Sequence, residues 1–65
     1  MKAYEVVGNS IWEAGPAGRL VMKLGMSGRW IPGKALDPAS AEAEMDAVPF
    51  ELKRQAVLNM RKAMR

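Results

Sequence analysis

Between Arg19 and Met26 the chain alternates with the two-residue period of a strand. Leu20, Met22 and Leu24 fall on one side; Arg19, Val21 and Lys23 fall on the other, a mixed and partly basic row. The same period appears more briefly in Lys2–Val7, where Tyr4 and Val6 oppose Ala3, Glu5 and Val7. Gly8-Asn9-Ser10 is a turn signal, and Ile11 and Trp12 after it either extend a second short strand or plug the core. Gly15-Pro16-Ala17-Gly18 breaks any regular element and predicts a loop. Ser27-Gly28 predicts a hairpin tip, from which Arg29-Trp30-Ile31 returns as a short strand closed by Pro32-Gly33. Pro32 has no N–H for a ladder, so it is expected at a strand end or an unpaired edge.

From Val48 to Arg65 the period lengthens to that of a helix. At about 100° per residue, Leu52, Ala56, Met60 and Ala63 share a face, which Phe50, Val57 and Met64 broaden. Arg54, Arg61 and Arg65 gather opposite, with Lys62 and Leu58 nearby. Glu51 near the start and Arg61, Lys62 and Arg65 near the end suit the helix dipole. Upstream, Asp37-Pro38 pairs an N-cap carboxylate with a proline at the first helical position, predicting a short helix through Ala47. Pro49 biases Val48 away from helical geometry. Either two helices meet at Val48, or the first is a frayed turn leading into the second.

The pattern predicts an α+β fold in one domain, residues 1–65: a sheet-forming part (1–34), a short acidic helix (37–47) and a basic amphipathic helix (49–65). The sheet is expected to be small and antiparallel, of two or three strands, with the C-terminal helix on one face. The expected core is Trp12, Leu20, Met22, Leu24, Trp30, Ile31, Leu52, Ala56 and Met60.

Size changes this picture. A chain of 65 residues hides only about 60% of its unfolded surface, and domains this small usually lean on disulfides, a metal or a partner. With neither Cys nor His, disulfides, zinc fingers and imidazole or thiolate catalysis are excluded. No calcium-loop pattern is present. No cofactor is expected, and the remaining support is another chain, either a larger host or a copy of itself. The opening MKAYEVVGNS lacks the apolar run of a signal peptide, and nowhere are there about 18 consecutive apolar residues, so no membrane partner is expected and the expected location is the cytoplasm.

The net charge of +3 is unevenly spread. Residues 35–52 carry Asp37, Glu42, Glu44, Asp46 and Glu51 without a cation; residues 53–65 carry Lys53, Arg54, Arg61, Lys62 and Arg65 without an anion. The acidic run either complements a helix start or folds back over the arginines. Catalytic parts are few. Glu42 and Asp46 are the one carboxylate pair at neighbouring helical spacing, and Gly15–Gly18 lacks the lysine and hydroxyl of a phosphate loop. The chain is therefore not expected to be an enzyme. Its candidate protein-binding residues are Arg54, Leu58, Arg61 and Arg65, with Trp30 as an aromatic anchor. The methionines either fill gaps in the core or form an adaptable surface.

Two resemblances add expectations. Gly28-Arg29-Trp30-Ile31-Pro32, with Lys34 and Leu36, resembles the Gly-Arg-apolar-Ile-Pro-Lys tract of AbrB/MazE-type domains, swapped-hairpin homodimers that bind DNA or antitoxin partners. Gly33 interrupts the tract, and an acidic run replaces the arginine-rich continuation. That resemblance implies a DNA-binding homodimer with Arg29 and Lys34 as contacts. In size, opening segment and charge layout, the whole chain is similar to small phage-encoded transcription regulators of the Xp10 type. This implies a non-enzymatic inhibitor or regulator that binds bacterial RNA polymerase in the host cytoplasm, and it carries no individual residue across. A virion or assembly component is a third reading.

Overall fold

The computed structural model describes residues 3–16, 18–33 and 37–63. Lys34, Leu36, Met64 and Arg65, all named above, lie outside them. Within them the chain runs β1 (Tyr4–Val7), β2 (Ser10–Glu13), β3 (Arg19–Leu24), β4 (Trp30–Pro32), α1 (Pro38–Ala47) and α2 (Phe50–Ala63). The strands form one antiparallel sheet in the order β1-β2-β3-β4. The class is α+β as expected, but with four strands rather than two or three. Ile11 and Trp12 do form a strand of their own.

Local chemistry accounts for the connections. The β1–β2 loop is the two residues Gly8 and Asn9, with Gly8 at a φ of 62°. A positive φ at the first loop position followed by a negative one suits a II′ hairpin, whose twist matches its strands. Asn9 reinforces the next pairing: its side-chain amide donates to the Leu24 carbonyl (2.6 Å), and the Leu24 N–H donates to the Asn9 carbonyl (2.9 Å). Pro32 falls at the end of an edge strand, where its missing N–H is harmless. Asp37 caps α1, its carboxylate accepting from the Ser40 N–H at 2.8 Å. That N–H and the Ser40 hydroxyl hold the Asp37 carboxyl below its usual pKa. Val48 is extended (φ −69°, ψ 130°) and buried, so two separate helices meet there, as a residue before proline allows.

The register of β3 departs from plain alternation. Trp12 lies opposite Leu20 and Ile11 opposite Met22, so Val21 has no partner across β2: a β-bulge. One extra residue changes which side chains share a face. Arg19 before the bulge and Val21 within it lie on the same side as Met22 and Leu24 after it, while Leu20 turns to the other side with Lys23. Cross-strand partners share a face. Tyr4, Val6, Ile11, Glu13, Arg19, Val21, Met22, Leu24 and Trp30 therefore form the inner side, and Glu5, Val7, Ser10, Trp12, Leu20, Lys23 and Ile31 the outer. Burial follows this division: Ile11, Val21, Met22 and Leu24 are buried, whereas Val7, Trp12 and Ile31 are exposed.

Both helices lie against the inner side. α1 packs on β3 and β4, and α2 on β1, β2 and β3. The core is Ile11, Val21, Met22, Val48 and Ala56, flanked by Tyr4, Val6, Trp30, Met45 and Leu52. Trp12 and Ile31 are thus not core residues, and Leu20 lies on the outer side. Ile11, Val21 and Val48 take central positions instead; the bulge accounts for the exchange of Leu20 for Val21. α1 brings little apolar surface, with Ala41 its one buried residue. It is tied down by Arg19, whose guanidinium donates to Glu44 on α1 (2.9 Å) and to Glu13 on β2 (3.1 Å). Those two carboxylates, Glu44 first, raise the Arg19 pKa still further.

Candidate functional site

α2 carries two stripes. Leu52, Ala56 and Met60 face the sheet, with Ala56 wholly buried. The second stripe is Phe50, Arg54, Val57, Leu58 and Arg61, spaced i, i+4, i+7, i+8 and i+11. Phe50 does not broaden the core face as expected; it is 76% exposed. At about 100° per residue it falls within about 20° of Arg61, far from Leu52. Ala63 is exposed as well.

The second stripe walls an open groove of about 520 Å³, with Trp30 of β4 and Lys53 completing the lining. The groove exists because α2 covers β1–β3 and makes no packing contact with β4. Trp30 keeps one side against the core and turns the other to the groove. Three of the five sequence-chosen binding residues, Arg54, Leu58 and Arg61, line this groove together with a fourth, Trp30. Arg65, the fifth, lies outside the described residues. Arg29 is exposed in the turn before β4 and does not line the groove.

Sequence reasoning missed Phe50, Lys53 and Val57. The signal was present in the i, i+7 pairs Phe50–Val57 and Arg54–Arg61, which make one stripe of mixed character. Sorting residues into apolar and charged faces hid it.

The electrostatics are one-sided. Among the described residues, Lys53, Arg54 and Arg61 line the groove and no carboxylate does. Arg19 pairs with Glu13 and Glu44, and among the described residues no side chain of α1 lines the groove. Glu42 and Asp46 are exposed. Of the acidic segment, Asp37 complements a helix start and Glu44 ties the helix to the sheet. Neither masks the arginines.

Chemically, the groove offers two aromatic and two aliphatic surfaces edged by three cations. Among the described residues no group of three or more Asp or Glu is placed to hold a metal ion, and no helix is long and apolar enough to cross a membrane. No family model, curated protein or solved structure matches this chain.

Proposed function

We propose that this protein is a non-enzymatic regulator that acts by binding a larger protein, its groove taking an acidic, apolar-faced segment of that partner. One observation carries this reading: Lys53, Arg54 and Arg61 surround exposed Phe50, Leu58 and half-buried Trp30 with no carboxylate among them. An amphipathic helix with acidic flanks complements both features, its apolar side chains on the aromatic floor and its carboxylates on the cations. Binding occupies a surface on the partner and so regulates by steric or allosteric means. The partner class implied by the resemblance to phage-encoded regulators is bacterial RNA polymerase, which makes transcription the process affected.

The test is an NMR titration of the labelled protein with a synthetic acidic amphipathic peptide, followed by capture of purified bacterial RNA polymerase. The reading expects shifts concentrated at Trp30, Phe50 and Leu58, and affinity that falls with added salt. It expects Arg54→Glu with Arg61→Glu to abolish both peptide binding and polymerase capture while the circular dichroism spectrum is unchanged. Polymerase capture that survives the double reversal removes the groove from the account. A salt-sensitive duplex-DNA shift without peptide binding points instead to the DNA-binding reading.

A further inference from the structure

The outer side of the sheet raises a separate question, independent of the groove. Both helices sit on the inner side, leaving Val7 56%, Trp12 37% and Ile31 44% exposed on one uncovered surface, with Leu20 between them. Among the described residues of the four strands, the charges on that side are one anion, Glu5, and one cation, Lys23. An acidic partner suited to the groove finds no matching excess of charge on this side.

We propose that this uncovered side is the contact between two copies of the chain, stacked sheet on sheet about a two-fold axis that runs along the strands. The register carries the argument. One row across the sheet reads Val7, Ser10, Lys23, Ile31 from β1 to β4; the next reads Glu5, Trp12, Leu20 from β1 to β3. A two-fold axis along the strands reverses each row. Val7 then faces Ile31 of the second copy, Trp12 faces its Leu20, and Lys23 faces its Ser10 hydroxyl. Glu5 falls at the rim, beside the loop through Gly15 and Gly18. An axis across the strands would instead set Leu20 on Lys23 and Glu5 on Val7, burying charge against apolar surface. The first arrangement matches apolar with apolar at Val7–Ile31 and Trp12–Leu20 and sets Lys23 on a hydroxyl, and each contact occurs twice, as an isologous interface requires. Stacked sheets pack about 10 Å apart with strands within about 30° of parallel, which keeps this pairing.

The area sets the strength. Four strands spaced about 4.8 Å, each about four residues long at 3.3 Å per residue, give a face of roughly 19 by 13 Å. That is below the roughly 800 Å² per partner of a standard interface. The dimer is therefore weak and reversible, with Kd of about micromolar or above.

The absence of cysteine from the chain makes the test clean. Positions 7 and 31 are three strands apart within one copy, roughly 14 Å, but face each other across about 10 Å between stacked sheets. With a short bis-maleimide that spans the smaller gap and not the larger, Val7→Cys combined with Ile31→Cys is expected to give a covalent dimer closed by two cross-links. Each single variant is expected to stay monomeric, because like positions lie at opposite edges of the contact. Sedimentation of the unmodified chain is expected to show a monomer–dimer equilibrium, which Trp12→Lys shifts at least tenfold toward monomer and Arg54→Glu leaves unchanged. A double cysteine variant that remains monomeric or forms a ladder of polymers overturns the proposal, as does equal cross-linking by the single variants. An unmodified chain monomeric up to about 1 mM also overturns it.

Discussion

Ile11 is wholly buried, and Ile31, two strands away in the same sheet, is 44% exposed. Val21 and Val7 divide in the same way, and Trp30 packs against the core while Trp12 stands outside it. Isoleucine, valine and tryptophan thus each appear on both sides of the sheet. Hydrophobicity therefore does not decide which side the helices cover; register does. The bulge at Val21 keeps Arg19 on the inner side, where it can reach Glu44, and brings Val21 and Met22 into the core together. The inner side consequently supplies most of the cohesion, and the outer side is left without a covering layer. Substitutions that separate the two sides test this division.

The largest effect is expected at Ile11. Ile11→Ala empties the centre of the core and costs about 2–5 kcal/mol. A domain of this size holds only roughly 3–5 kcal/mol in all, so urea denaturation followed by circular dichroism should show a chain substantially unfolded before denaturant is added. A cooperative transition near that of the parent would mean that the inner side is not the seat of stability.

Gly33→Ala comes next and tests what fixes the bulge. The Gly33 N–H donates to the Val21 carbonyl at 2.8 Å, and a methyl group at Gly33 would overlap the Leu20 carbonyl. The obstacle is backbone, so it cannot rotate away. Overpacking of this kind costs about 1–3 kcal/mol and pushes β4 from the bulge. Amide exchange of Val21 and Gly33 should accelerate more than that of β1. Gly33 also interrupts the tract that resembles AbrB/MazE-type domains; here it serves the close approach of two strands.

Much of this fold was legible in the sequence. The Gly8-Asn9 turn, the edge position of Pro32, the Asp37 cap and the break at Val48 each follow from the backbone chemistry of one or two residues. The bulge was not legible, because an alternating pattern such as Arg19–Leu24 fits a regular strand equally well, and only pairing with β2 and β4 reveals the extra residue. That one slip misassigned Leu20 and Val21. Trp12 and Ile31 were misassigned for a different reason: a large apolar side chain was presumed buried in a chain short of core. The lining of the groove was legible as far as Arg54, Leu58, Arg61 and Trp30. Phe50 was lost because an aromatic residue beside a core stripe was counted with the core.

A smaller effect is expected from Asp37→Ala, which loosens the cover of the inner side without touching its core. The substitution removes the acceptor for the Ser40 N–H and should lower the melting temperature by a few degrees, the usual scale for an N-cap in a small domain. Its pH dependence has a definite sign. The folded carboxyl titrates below its unfolded value, so the stabilisation is complete above the unfolded pKa of about 4 and is lost as pH falls through the folded pKa. Melting curves of parent and variant should differ by a constant amount from pH 5 to 8 and converge at lower pH. A difference that persists unchanged in acid would assign the effect to helix propensity.

The smallest effect is the most direct comparison, because it uses two neighbouring valines on one strand. Val6 points inward beside Ile11, and Val7 points outward. Threonine keeps the shape of valine and replaces one methyl group with a hydroxyl. Val7→Thr leaves that hydroxyl in water, so stability should stay within about 0.5 kcal/mol of the parent. Val6→Thr presses it against the partly buried edge of the core, where an uncompensated hydroxyl costs about 1 kcal/mol. Both measurements belong at micromolar protein concentration or lower, where the outer side has no second copy against it. A loss at Val7 as large as that at Val6 would mean that β1 is covered on both sides, and the division between cohesive and open faces would fail at this edge.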